Sequence, residues 1–283
     1  MLRRLIAFLA CMLFVFILAC TKNPKFNFTQ GTRVGIVNLL ESDATHTNFS
    51  SFGQNNFTRT YPVNWQMPSY AEGKIIAQLK QNKNLAVVQI EVSDPSKQQQ
   101  LRSDMVERVV LSQTVPATIA PEGARLLETV VAPENVQVVI IIGSYSGPSP
   151  HKSAENHINL QGYGLFTRFL VRGIFEKISG GLLSFRKAYA FAQIGVVVFK
   201  VQPVVCIGSV TTASQGRPLR PINDFDWSAD IQHLPESELA KAKPRIEKYL
   251  EEAIDKALKA ANLTPSGPSK EDTAPGRGGA PAR

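Results

Sequence analysis

The amino-acid sequence predicts an α/β (α+β) fold: a single domain with a mixed sheet, an early strand-helix-strand part, later antiparallel strands and a C-terminal packing helix. Three patterns predict it. Apolar runs of strand length alternate with helix-periodic stretches in the first half of the chain. Apolar β-branched runs then follow one another from residue 158 to 213 with few helical signals between them. A last amphipathic stretch begins at Pro244.

The elements follow in order. Arg33–Leu40 (RVGIVNLL) reads as a strand. Residues 41–69, rich in Asn, Ser, Thr and aromatics, predict a long irregular loop. Tyr70–Gln81 carries a moderate helical stripe of Tyr70, Ile75, Ile76, Ala77 and Leu79, and Leu85–Val92 (LAVVQIEV) is a strand. Lys97–Leu111 places Leu101, Met105, Val106 and Val109 on one helical face. Pro121 can open another helix, in which Gly123, Leu126, Leu127, Val130 and Val131 recur at helical spacing. Val136–Ile142 is nearly all β-branched, the mark of a strand covered on both faces. Ile158–Val171, Ala188–Gln202 and Val204–Ala213 read as three further strands, with Gln202-Pro203 fitting a tight turn before the last. Pro244 suits the first position of a helix. Ile246, Leu250, Ala253, Ile254, Ala257 and Leu258 follow as one stripe, which suits packing on the sheet or docking a partner.

The two ends differ from this body. Met1-Leu2-Arg3-Arg4 is followed by an unbroken apolar run, Leu5–Ala19, and then by Cys20-Thr21-Lys22-Asn23-Pro24. That is the layout of a secretory signal over residues 1–19, and its apolar core is short for a spanning helix of about 20 residues. Ile17-Leu18-Ala19-Cys20 resembles the bacterial lipobox. The resemblance implies diacylglycerol on the Cys20 sulfur, cleavage before Cys20 and acylation of the new amino group. Two or three chains hold a protein to a bilayer, where one binds reversibly. An uncleaved anchor helix ending at Cys20 is the alternative. Thr21 in place of Asp favours, by the family sorting rule, an outer-membrane location facing the periplasm. Residues 20–31 then form a lipidated tether, 32–263 the domain, and 264–283 a Pro/Gly/Ala/Ser tail whose composition predicts disorder.

Composition narrows the partners. Without Arg3 and Arg4 the 31 basic residues become 29 against 23 acidic ones, so the net charge falls from +8 to about +6. The charge is spread along the chain without blocks, and no nucleic-acid partner is inferred. It suits either solubility or mild attraction to anionic lipid or glycan. Of the three cysteines, Cys11 lies in the signal and Cys20 in the lipobox. Cys206 is left alone, so no internal disulfide is expected. Its Val-Val-Cys-Ile setting reads as buried strand rather than as a nucleophile.

Chemistry-bearing patterns are few. Gly143-Ser144-Tyr145-Ser146-Gly147 has Tyr145 where a nucleophile elbow needs serine. It reads as an exit loop after a buried strand. Ser144 or Ser146 with His151 or His157 and Asp224, Asp226 or Asp230 could form a hydrolytic triad only through tertiary folding. No HxH, HExxH, CxxC, GxGxxG or P-loop occurs, so neither metal nor cofactor is inferred. The aromatic stretch 49–70 interleaves Phe52, Phe57, Tyr61 and Trp65 with amides and Arg59. It suits recognition of a glycan or protein, or rings that pin a loop to the domain. Residues 165–187 join Phe169 and Phe175 to Arg168 and Arg172. This fits a membrane interface or partner contact, or a hairpin folded back on the sheet.

The element order, carried by Arg33–Leu40, Ala120–Ile142 and Ala188–Ala213, resembles the small α/β domains of the curli-secretion and penicillin-binding-protein-activator lipoproteins. The N-terminal domain of the Tol-system β-propeller protein is a more distant likeness. In the curli-secretion family a position comparable to 165–187 carries membrane-spanning hairpins. Here the sustained alternation of a barrel strand is missing, so no pore is expected. The resemblance implies a non-enzymatic, lipid-anchored envelope protein that presents its domain to an envelope protein or glycan. An anchored hydrolase acting on cell-wall or lipid substrates is the alternative.

Overall fold

The computed structural model describes residues 28–50, 56–112, 119–149, 158–171, 184–212 and 220–264. The strands are β1 (Thr32–Leu39), β2 (Ala44–Ser50), β3 (Phe57–Tyr61), β4 (Leu85–Ile90), β5 (Val138–Ser144), β6 (Ser146–Pro148), β7 (Asn159–Val171), β8 (Ser184–Lys200), β9 (Val205–Thr211) and β10 (Pro221–Ile222). The helices are α1 (Met67–Leu79), α2 (Pro95–Leu101), α3 (Arg108–Ser112), α4 (Pro121–Val131), α5 (Glu236–Ala240) and α6 (Lys243–Ala260). A π-helical segment, Arg102–Glu107, joins α2 to α3. The fold class expected from the sequence is the one observed.

The sheet runs β3-β2-β7-β8-β5-β1-β4. β1 pairs in parallel with β4 and β5, and β2 with β7; β8 is antiparallel to both β5 and β7. The long β8 ties two halves together. Ser184–Gln193 pairs with β7, and Ile194–Lys200 pairs with β5. The period of two assigns the cores. Val138, Ile140 and Ile142 of β5, with Ile194, Val196 and Val198 of β8, face α1 and α6. Val139 and Ile141, with Val197 and Phe199, face α2, the π segment, α3 and α4. Helices therefore cover both faces, which is why β5 and the C-terminal part of β8 read as continuous apolar runs.

Most predicted elements appear within a few residues of their expected limits. The helix expected over Lys97–Leu111 starts earlier because Asp94 caps it, its carboxylate accepting from the Ser96 amide at 2.9 Å with Pro95 next in line. The irregular loop expected over residues 41–69 is overturned: it contains the antiparallel pair β2–β3 and the start of α1. Thr45, Thr47, Thr58 and Thr60 have the β-branched shape that a pleat accepts, although they are polar. β2 is also parallel to β7 and mostly buried, so it shows none of the in/out alternation that marks a half-exposed strand.

Helix α6 packs its predicted stripe on the sheet, with Ile246, Leu250, Ala253, Ile254, Ala257 and Leu258 buried. It is clamped to α1 through Glu251, whose carboxylate takes Lys74 Nζ at 2.5 Å and the Tyr70 hydroxyl at 2.6 Å. Those two partners hold the Glu251 carboxyl below its usual range. Leu250→Ala and Ile254→Ala, both at fully buried positions, should each lower unfolding free energy by about 2–5 kcal/mol. Denaturant titration checks this, and two silent variants would mean that the stripe is not core.

Candidate functional site

The strands that the sequence concealed carry a connected polar arrangement. In the β2–β3 register, Asn48 lies opposite Phe57, His46 opposite Arg59 and Ala44 opposite Tyr61. Residues at two-residue spacing share a face of the sheet. Phe57, Arg59 and Tyr61 therefore form a row beside His46 and Asn48. The Arg59 guanidinium sits 5.2 Å from the centroid of the Phe57 ring.

The outer end of this row is held by the segment before α5. Arg59 Nη1 donates to the Gln232 carbonyl at 2.5 Å, and the Tyr61 hydroxyl donates to the same oxygen at 3.0 Å. Asp230 shapes the segment, accepting from the Gln232 amide at 2.9 Å and lying 3.0 Å from His233 Nδ1. These hydrogen bonds keep the Asp230 carboxyl below its ordinary range. His233 Nε2 lies 3.3 Å from Arg59 Nη1. Guanidinium only donates, so Nε2 is the acceptor and Nδ1 carries the proton toward Asp230. The Asp230–His233 pair resembles the orienting half of a hydrolytic triad, but arginine, not a hydroxyl, occupies the nitrogen that would serve as base. Both members are open to solvent, with side chains 61% and 73% exposed.

The inner end is buried. His46 is fully enclosed, its Nε2 2.7 Å from Thr167 Oγ1, and Thr167 donates to Asn48 Oδ1 at 2.8 Å. Thr167 has spent its one proton on Asn48 and so accepts from His46. The proton therefore sits on Nε2. His46 Nδ1 is a buried acceptor with no partner among the described residues. Burial first, and the nearby Arg59 charge second, lower the His46 pKa from 6.5 to about 4.

Other residues singled out in the sequence lie elsewhere. Trp65 is 3% exposed and packs toward Tyr163, ring centroids 6.3 Å apart, so its ring is not available at a surface. Phe52, Phe175, Arg172, His151, His157 and Cys20 lie outside the described residues. Arg168 is only 8% exposed, and half-buried Phe169 has the Arg186 guanidinium 5.3 Å from its ring centroid. At the described base of the β7–β8 hairpin, then, Arg168 is not a free cation on an outer face. Ser144 is 1% exposed at the end of β5, and Ser146 begins β6. Asp226 accepts from the Ser228 amide and hydroxyl. Cys206 is buried, and burial pushes its thiol up to about 11, far from a nucleophile at neutral pH.

Phe57 and Tyr61 are legible in the sequence as aromatics of a polar stretch, whereas Arg59 reads there as background and His233 belongs to no motif. The F-T-R-T-Y alternation was a local signal that could have placed all three on one face. The contact between Arg59 and the 230–233 segment spans more than 170 positions and has no local signature. Among the described residues no group of three His, Cys, Asp or Glu could hold a metal ion, and no helix is long and apolar enough to cross a membrane. No protein-family model matches the chain, and no curated protein matches it.

Proposed function

We propose that the chain is a lipid-anchored cell-envelope protein of non-enzymatic type. Its α/β domain presents the outer end of β3, with the Asp230–His233 segment, to another envelope protein or a glycan. The anchor rests on the lipobox at Ile17-Leu18-Ala19-Cys20. The carrying structural observation is the Phe57–Arg59–Tyr61 row, fixed by two hydrogen bonds to one carbonyl at Gln232. A cation, aromatic rings and amides held in place ahead of binding favour recognition of a polar partner, because little side-chain entropy remains to be lost. The hydrolase alternative has the Asp230–His233 pair in its favour, but Arg59 occupies the position a nucleophilic hydroxyl would need.

Two measurements test this reading. Cys20→Ala should leave an unprocessed precursor without lipid, read by fractionation and intact mass. A normal mature mass from that variant would remove the anchor. Separately, a photo-crosslinker at exposed His233, on the segment that holds the Arg59 row, should trap an envelope component in cells. The product should fall several-fold in Arg59→Ala with Tyr61→Ala. An adduct unchanged by that double substitution would show that this edge is not the recognition surface.

A further inference from the structure

The opposite end of the sheet is unguarded. β4 closes the strand order and pairs with β1 along one side. Edge strands expose unpaired backbone groups and are ordinarily protected by charge, proline, bulges or shortness. The other edges carry such devices. β3 has Arg59 at its centre and Pro62 after its end. β9 follows Pro203 and meets β8 through a register shift at Val198/Phe199. β10 has two residues and begins with Pro221. β4 reads Leu85-Ala86-Val87-Val88-Gln89-Ile90, with no charge, proline or glycine. Leu85, Val87 and Val88 are only half-buried, and Ala86 and Gln89 are exposed.

The residues bracketing this strand identify its occupant. Lys83 precedes it and Glu91 follows it. Both are exposed, and neither makes an ion pair among the described residues. We propose that β4 pairs antiparallel with β4 of a second copy of this chain, about a two-fold axis at Val87. In that register Val87 faces its own counterpart and Leu85 faces Gln89, while Lys83, in the Asn82–Leu85 turn that leads into β4, comes to the same end of the pair as Glu91 of the other copy. Two symmetric ion pairs then flank an apolar centre, and the two sheets become one continuous sheet. A two-fold contact must be self-complementary, and opposite charges at the two ends of a short uncharged strand supply that only in the antiparallel sense. A foreign strand would need none of this symmetry. The proposal stands independently of lipid anchoring and of the β3 surface at the other end of the sheet.

The test uses the full chain in mild detergent, followed by sedimentation over a concentration series. The parent should reach twice the monomer mass. Lys83→Glu or Glu91→Lys brings like charges together at both ends of the pair and should weaken self-association several-fold. The double variant Lys83→Glu with Glu91→Lys should restore it. Both positions are exposed, so unchanged thermal unfolding of the singles would separate lost pairing from lost folding. Val87→Cys should also give a disulfide-linked dimer on mild oxidation, whereas Val87→Ser should not. A parent that is monomeric throughout overturns the proposal. So does a dimer indifferent to both single reversals, or one that the double variant fails to restore.

Discussion

Acidification from pH 6.5 to 4 should cost the folded domain about 3 kcal/mol through His46 alone. The folded-state pKa of about 4 lies below the ordinary imidazole value of 6.5. Between those values the unfolded chain binds the extra proton and the native chain resists it. Stability is therefore complete above about pH 6.5, falls as the pH drops, and loses nothing more to this group below about pH 4. The cause is structural. His46 is fully enclosed, its Nε2 is committed to Thr167, and a protonated Nδ1 would find no acceptor while facing the field of Arg59. His46→Gln removes the titration while keeping an amide near Thr167. The parent's advantage over that variant should be flat above pH 6.5 and shrink by about 3 kcal/mol by pH 4. Carboxylates that titrate in the same range cancel in this difference. A pH-independent gap would mean that His46 is solvated or paired in the native state.

The same residue shows why one half of the fold was legible and the other was not. β5 announces itself because Val138–Ile142 are buried on both faces by apolar contact alone, and hydrophobicity is what sequence patterns record. β2 is buried nearly as thoroughly, but largely through polar side chains that hydrogen-bond across to neighbouring strands. Thr47 and Thr58 hydroxyls lie 3.1 Å apart across the β2–β3 pair, and the His46–Thr167–Asn48 chain runs on through β7. Each of these residues, read singly, signals a loop. Only the partner strand, more than a hundred positions away, turns it into a core residue. Legibility of the candidate site follows the same division. Phe57 and Tyr61 stood out as aromatics, whereas the work of Arg59 and His233 is defined by a loop distant in sequence. Trp65 stood out as well, yet ring chemistry alone does not distinguish a core tryptophan from an exposed one. The π-helical turn between α2 and α3 left no trace in an apolar stripe that continues through Met105, Val106 and Val109.

The largest single effect is expected at Gly164, where β7 meets β2. Gly164 is the register partner of Thr45 and has a φ of +153°. A Cβ built there would lie 2.0 Å from the Thr45 carbonyl oxygen and 2.8 Å from both the carbonyl carbon and the nitrogen of that residue. All three are backbone atoms, so no rotamer change can relieve the overlap. Either β7 twists away or β2 leaves the sheet. Loss of β2 would open the His46–Thr167–Asn48 chain and detach β3 with its Arg59 row, so the strain would not stay local. Gly164→Ala should therefore lower unfolding free energy by about 4 kcal/mol or more, in the range reserved for backbone clashes and broken buried networks. That is a large share of a typical domain's total of about 5–15 kcal/mol. Gly73→Ala is the matched control. Gly73 is exposed within α1, and a Cβ there meets nothing within 4 Å, so alanine should stabilise by about 0.5–1 kcal/mol. Denaturant titrations of the two variants should move in opposite directions. If Gly164→Ala costs under about 1 kcal/mol, β2 does not approach β7 this closely, and the acid-sensitive chain between them would have to be redrawn.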